Sequence, residues 1–145
     1  MTTFTIGFTQ STAQHFFDRL KQAGVKRVID VRLHNSSQLA GFAKSDDLAF
    51  FLKALGGMDY SHEPALAPNE EIFTAYKKQK GDFHVFQTDY LNLLAERKVE
   101  DAYKPALFEG ACLLCSEADY HHCHRRFLAD YLYGKWGDTL KVEHL

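Results

Sequence analysis

The feature that most constrains this chain is an alternation. Short runs rich in β-branched and apolar residues take turns with segments whose apolar residues recur at helical spacing. That order predicts an α/β fold, because parallel strands must be joined by crossovers and the usual crossover is a helix. Thr3-Phe4-Thr5-Ile6-Gly7 reads as a first strand. Ala13, Phe16, Phe17 and Leu20 then fall at i, i+3, i+4 and i+7, one face of a helix. Ser11 with Gln14 has the spacing of a capping box for it, and Gly24 stops it. Val25 to Arg32 reads as a second strand, with Val28, Ile29 and Val31 as its buried part. Leu48, Phe51, Leu52 and Leu55 make a second helical stripe, closed by Gly56-Gly57, and Met58 to His62 a short third strand. Asn69 and Asp82 are placed to cap two further helices, one through Ile72, Phe73 and Tyr76, the other through Phe83, Phe86, Tyr90, Leu93 and Leu94. Gly110 to Glu117 is a late strand, Phe127, Leu128, Tyr131 and Leu132 a last helical stripe, and Val142 to Leu145 a closing strand. The expectation is one α/β domain over residues 1–145, with a mostly parallel sheet of about four or five strands flanked by helices.

Composition narrows the classes. With 145 residues, 46% hydrophobic and 25% charged, the chain has the make-up of an ordinary globular domain. A chain of this size buries roughly 68–70% of its unfolded surface, so one core suffices. No run of 18 apolar residues occurs, so no membrane-spanning helix is expected. The start, Met1 to Ile6, has neither a basic nor an apolar leader region, so no signal peptide is expected. The 3 Cys are an odd number; without a leader this predicts reduced thiols in the cytoplasm rather than a disulfide framework. A net charge of -2 argues against a protein that coats nucleic acid by charge alone.

Open parallel sheets bind ligands outside the carboxyl ends of their strands, and polar residues collect at those ends here. Asp30 and Arg32 close the second strand and, two apart, point to one face. They are read either as a ligand mouth, with Arg32 gripping a carboxylate or phosphate, or as an ion pair tying down a loop. Cys115 and Glu117 share a face at the exit of the late strand, with Cys112 opposite as a small buried hydrophobe. The segment Ala118 to Arg126 (ADYHHCHRR) is the densest chemistry in the chain. Cys123 at a helix start, beside His124 and Arg125, should have a lowered thiol pKa and suit a nucleophile. The amides of that helix start, with Arg125, suit an anion. The competing reading has His124 and Arg125 satisfy buried carbonyls or pair with Glu117 and Asp30.

These residues resemble the DUF488 family of small bacterial and archaeal proteins, over most of the chain from Thr5 to about Leu132. Thr5-Ile6-Gly7 is similar to its T-I-G-H-S start. Asp30-Val31-Arg32 with Ser37 and Gly41-Phe42 resembles its D-V-R…S-R…F block. Cys115-x-Glu117 with Cys123-His124-Arg125 resembles its C-x-E…C-H-R block, the most specific of the three, and Tyr60 and Pro64 also fit. The chain departs from the pattern at Phe8 (His in the family), Asn35 (Pro), Gln38 (Arg) and Ala67 (Gly). The resemblance implies an α/β fold and a polar site built from these blocks, and no reaction.

The leading functional expectation is an enzyme, or enzyme-like domain, that takes a small anionic or nucleotide-like ligand at the carboxyl edge of the sheet. Cys115, Glu117, Cys123 and His124 are its catalytic candidates, and Asp30, Arg32, Ser37 and Arg125 its ligand-binding ones. One alternative is a zinc- or iron-binding domain using Cys115, His121, His122, Cys123 and His124, although no C-x2-C pair is present. Another is a non-catalytic module in a nucleic-acid pathway, supported by Lys77-Lys78, Lys80 and Arg125-Arg126. A sulfurtransferase of the rhodanese type ranks lower, because the stretch after Cys115 lacks a glycine cradle.

Overall fold

In the computed structural model, residues 1–35, 41–77, 79–116 and 123–145 are described. Among them five strands form one sheet: β1 (Thr2–Gly7), β2 (Arg27–Asp30), β3 (Asp59–His62), β4 (Ala111–Cys115) and β5 (Lys141–His144), in the order β3-β2-β4-β1-β5. Every neighbouring pair is parallel. The alternation in the sequence thus folds as expected. The central strand β4 is buried along its whole length, the mark of a parallel strand covered on both faces.

The helices are α1 (Ala13–Gln22), α2 (Ser45–Gly56), α3 (Glu70–Lys77), α4 (Phe83–Arg97), the single turn α5 (Val99–Ala102) and α6 (His124–Trp136). Two caps lie where the sequence puts them. The Asn69 Oδ1 accepts from the Ile72 amide at 2.8 Å, and the Asp82 carboxylate accepts from the amides of His84 and Val85. One differs: α1 is capped by Thr12, whose hydroxyl accepts from His15 N at 3.1 Å, while the Ser11 hydroxyl turns to the Thr12 carbonyl. Two adjacent hydroxyls compete there, and the one nearer the first helical turn reaches the free amide. Gly57 ends α2 in the left-handed region (φ 64°), where a Cβ would be strained. The α2 stripe is narrower than its apolar residues suggest: Leu48 and Leu52 are buried, but Leu55 is 49% exposed.

The two faces of the sheet carry separate cores. On one, Phe16, Phe17 and Leu20 of α1 and Leu48 and Leu52 of α2 pack with Phe4, Ile6, Val28, Cys112 and Leu114. On the other, Phe86, Tyr90 and Leu94 of α4 and Phe127, Leu128 and Leu132 of α6 pack with Ile29, Val31, Leu113 and Cys115. The segments after β1 and β2 therefore cross one face, and those after β3 and β4 the other. β4 lies between β2 and β1, so at its exit the chain leaves toward the opposite side from both neighbours. In open parallel sheets ligands bind at such a reversal, outside the carboxyl ends of the strands. No helix among the described residues is long and apolar enough to cross a membrane.

Candidate functional site

Cys115 is the last residue of β4 and Cys123 the N-cap of α6, and the two lie together at the β4 exit. Their sulfurs are joined in a disulfide across Cα atoms 7.2 Å apart, and Cys112 is left as a free, buried thiol. This corrects the expectation of reduced thiols throughout. The odd count still holds for Cys112, but the spacing of Cys115 and Cys123 carries no sign that strand exit and helix start fold back onto each other. Burial pushes the Cys112 thiol pKa up, and its side chain belongs to the core on the face opposite Cys115.

His124, the first residue of α6, completes the cluster. Its Nε2 lies 2.7 Å from the Val31 carbonyl, which can only accept, so Nε2 carries the proton. Nδ1 is left with a lone pair, 3.8 Å from Cys115 Sγ. Burial holds the ring's pKa down at about 4, against the opposing effect of the Val31 bond, so the imidazole is neutral at pH 7. Tyr90 stands edge-on to the ring at 5.5 Å and is itself tied by its hydroxyl to the Leu66 carbonyl at 2.6 Å. The two sulfurs and a ring nitrogen of His124 all lie within 4.8 Å of one another.

At the same edge of the sheet, but on its α1/α2 face with Phe8 and Ala43 and not on the α4/α6 face that holds Cys115 and Cys123, lies a second cluster, built on Asp30. Its Oδ1 accepts from the Arg32 amide (3.1 Å) and Nε (2.9 Å), and its Oδ2 from Arg32 Nη2 (2.7 Å) and the Tyr60 hydroxyl (2.5 Å). Both charged side chains are buried, Asp30 at 0% and Arg32 at 3% exposure. Burial and the Asp30 carboxylate push the Tyr60 hydroxyl well above its ordinary pKa. Arg32 Nη2 also donates to the Ala43 carbonyl, and the guanidinium lies over the Phe8 ring at 5.2 Å. Its Nη1 is buried and has no hydrogen-bond partner among the described residues. The clusters share backbone: Val31 N donates to the Leu114 carbonyl, and His62, at the end of β3, donates from Nε2 to the Arg32 carbonyl at 2.7 Å. Phe8 under Arg32 donates its amide to Ser116, next to Cys115.

Of the eight candidate site residues, the fold brings Cys115, Cys123 and His124 together on one face and sets Asp30 and Arg32 at the same sheet edge on the other. Arg125 is fully buried instead of facing the edge, with its Nε 3.2 Å from the Thr5 hydroxyl of β1. As a buried residue it also drops out of the basic surface spot suggested by Arg125-Arg126. Glu117 and Ser37 lie outside the described residues, as do His121, His122 and Lys78. Tyr60 and His62 were not among the candidates. His62 ends a strand that the sequence places correctly, so the rule about carboxyl ends was enough to find it; Tyr60 needed its partner Asp30 to be seen.

Comparison with known proteins identifies one family. The model described as domain of unknown function DUF488 matches residues 12–132. That stretch contains the Asp30-Val31-Arg32 and Cys115…Cys123-His124-Arg125 blocks and begins after Thr5-Ile6-Gly7. No curated protein and no solved structure matches significantly.

Proposed function

This chain belongs to the DUF488 family, and on that footing we propose that it is a thiol-dependent enzyme acting on a small anionic or nucleotide-like substrate at the carboxyl edge of its sheet. The observation that carries the reading is the convergence of Cys115, Cys123 and His124 at the β4 exit, on the same sheet edge as Arg32, whose buried Nη1 has no hydrogen-bond partner among the described residues. In the reduced protein, Cys115 is the nucleophile. Its S–H points to the His124 Nδ1, whose orientation the Val31 carbonyl holds. Cys123 is the second thiol, able to close on Cys115 when the pair is oxidised. Arg32 Nη1 supplies the contact to an anion, and Asp30 and Tyr60 position that guanidinium instead of transferring protons. Glu117, two residues past Cys115, is assigned acid/base work, and Ser37 ligand binding, on sequence grounds alone. A cytoplasmic setting fits this reading, since it keeps such a pair mostly in the thiol form.

Alkylation of the reduced protein by iodoacetamide at pH 7, resolved by mass spectrometry, tests the proposal. Cys115 is expected to react faster in the folded protein than in the urea-unfolded chain, and inorganic phosphate to slow it. Equal rates in folded and unfolded protein, with no effect of phosphate, overturn it.

A further inference from the structure

We infer that the reduced Cys115, Cys123 and His124 form a zinc site with one open coordination position, so that the disulfide and the metal-bound dithiolate exclude each other at this cluster. Two sulfurs and an imidazole nitrogen are a soft-to-borderline set that selects zinc over magnesium or calcium. Three protein ligands with a free fourth position are the arrangement of catalytic zinc sites. The geometry is close to what the ion needs. Bonds of about 2.3 Å to sulfur and 2.0–2.1 Å to nitrogen place tetrahedral S and N ligands about 3.6 Å apart. Nδ1 and Cys115 Sγ are already 3.8 Å apart. The sulfurs must part to about 3.8 Å once their bond is gone, and a Cα separation of 7.2 Å leaves room for side-chain rotation to do that.

The surroundings point the same way. A ligating histidine usually donates its other ring N–H to a carbonyl or carboxylate, which fixes tautomer and direction. His124 does so to Val31, leaving Nδ1 to face the sulfurs. Cys115 and Cys123 are 3% and 2% exposed, which shields the ion from competing chelators. The chemistry balances. A dithiol reductant gives two electrons and two protons to the Cys115–Cys123 bond, which breaks to two thiols while the reductant closes to its own disulfide. Zinc then displaces both thiol protons. With the ion bound, both sulfurs are ligands and no longer free nucleophiles, so the alkylation above reads the metal-free dithiol and this inference does not rest on it.

The test uses the full chain, reduced with a phosphine, incubated with zinc sulfate, freed of excess metal and measured by elemental analysis. About one zinc per chain is expected in the reduced protein and less than a tenth of that in the oxidised one. Cobalt in place of zinc is expected to show a thiolate-to-metal charge-transfer band. Cys123→Ser should weaken binding at least tenfold and Cys112→Ala leave it unchanged. Where Cys123→Ser fails to fold, His124→Gln takes its place, and the comparison of reduced with oxidised wild type needs no variant. Equal zinc in both redox states, no zinc in the reduced state, or full binding by both ligand variants overturns the inference. Failure here with phosphate-protected alkylation intact removes the metal and leaves the thiol enzyme standing.

Discussion

The two clusters at the carboxyl edge of the sheet are neighbours with opposite characters. Around Asp30, both carboxylate oxygens accept twice, from Arg32 and Tyr60. Around Cys115, accepting capacity is left over: the lone pair of His124 Nδ1 faces sulfur without a proton between them, and the sulfurs are held in a bond that a reductant opens. The same rule about strand ends locates both. The Asp30 carboxylate has its hydrogen-bonding capacity used up and His124 Nδ1 does not, so a buried charge at a strand end is by itself weak evidence of catalysis.

This contrast can be broken by mutation, and the largest effect is expected at the fixture. Asp30→Asn leaves Arg32 as a buried charge without its counterion. It should cost about 3–5 kcal/mol in urea unfolding, and a loss below about 1 kcal/mol means that the pair does not hold the edge together. Next is the sulfur pair. Reducing Cys115–Cys123, which closes a loop of sequence separation 8, should lower stability by about 2.5 kcal/mol by the chain-entropy estimate. The same denaturation curve with and without reductant measures it. Metal added to the reduced protein should recover part of that loss, since a ligand of the native state alone stabilises by mass action. Tyr60→Phe removes one hydrogen bond to a charged oxygen and should cost about 1.5 kcal/mol, with the alkylation rate of reduced Cys115 unchanged. The smallest effect is predicted for Cys112→Ala, about 1 kcal/mol, with disulfide formation intact by thiol counting.

Much of the fold is legible in the chain. The strands alternate with helical stripes because the inner strands are buried on both faces and each helix on one, and those periods survive in the residues themselves. Asn69 and Asp82 work as caps because a cap is a local hydrogen bond, closed within three residues. Failures begin where choice is not local. Thr12 and not Ser11 caps α1, since the turn geometry decides between two hydroxyls. Leu55 has the right spacing and no core to enter. Arg125 sits in a sequence crowded with polar groups, yet points under the sheet toward Thr5 of β1, 120 residues away.

The sequence alone determined that this chain is an α/β protein with a parallel sheet, that charged, imidazole and thiol side chains gather at strand exits, and that Cys112 belongs to the core. Each follows from periodicity or from a residue's place in its own element. Tertiary structure alone decided that Cys123 lies against Cys115, that Val31 orients His124, and that Tyr60 and Arg32 saturate Asp30. Those contacts join residues from different elements across the sheet edge. Nothing in local spacing encodes their distance, because it is set by strand order and by which face each helix crosses.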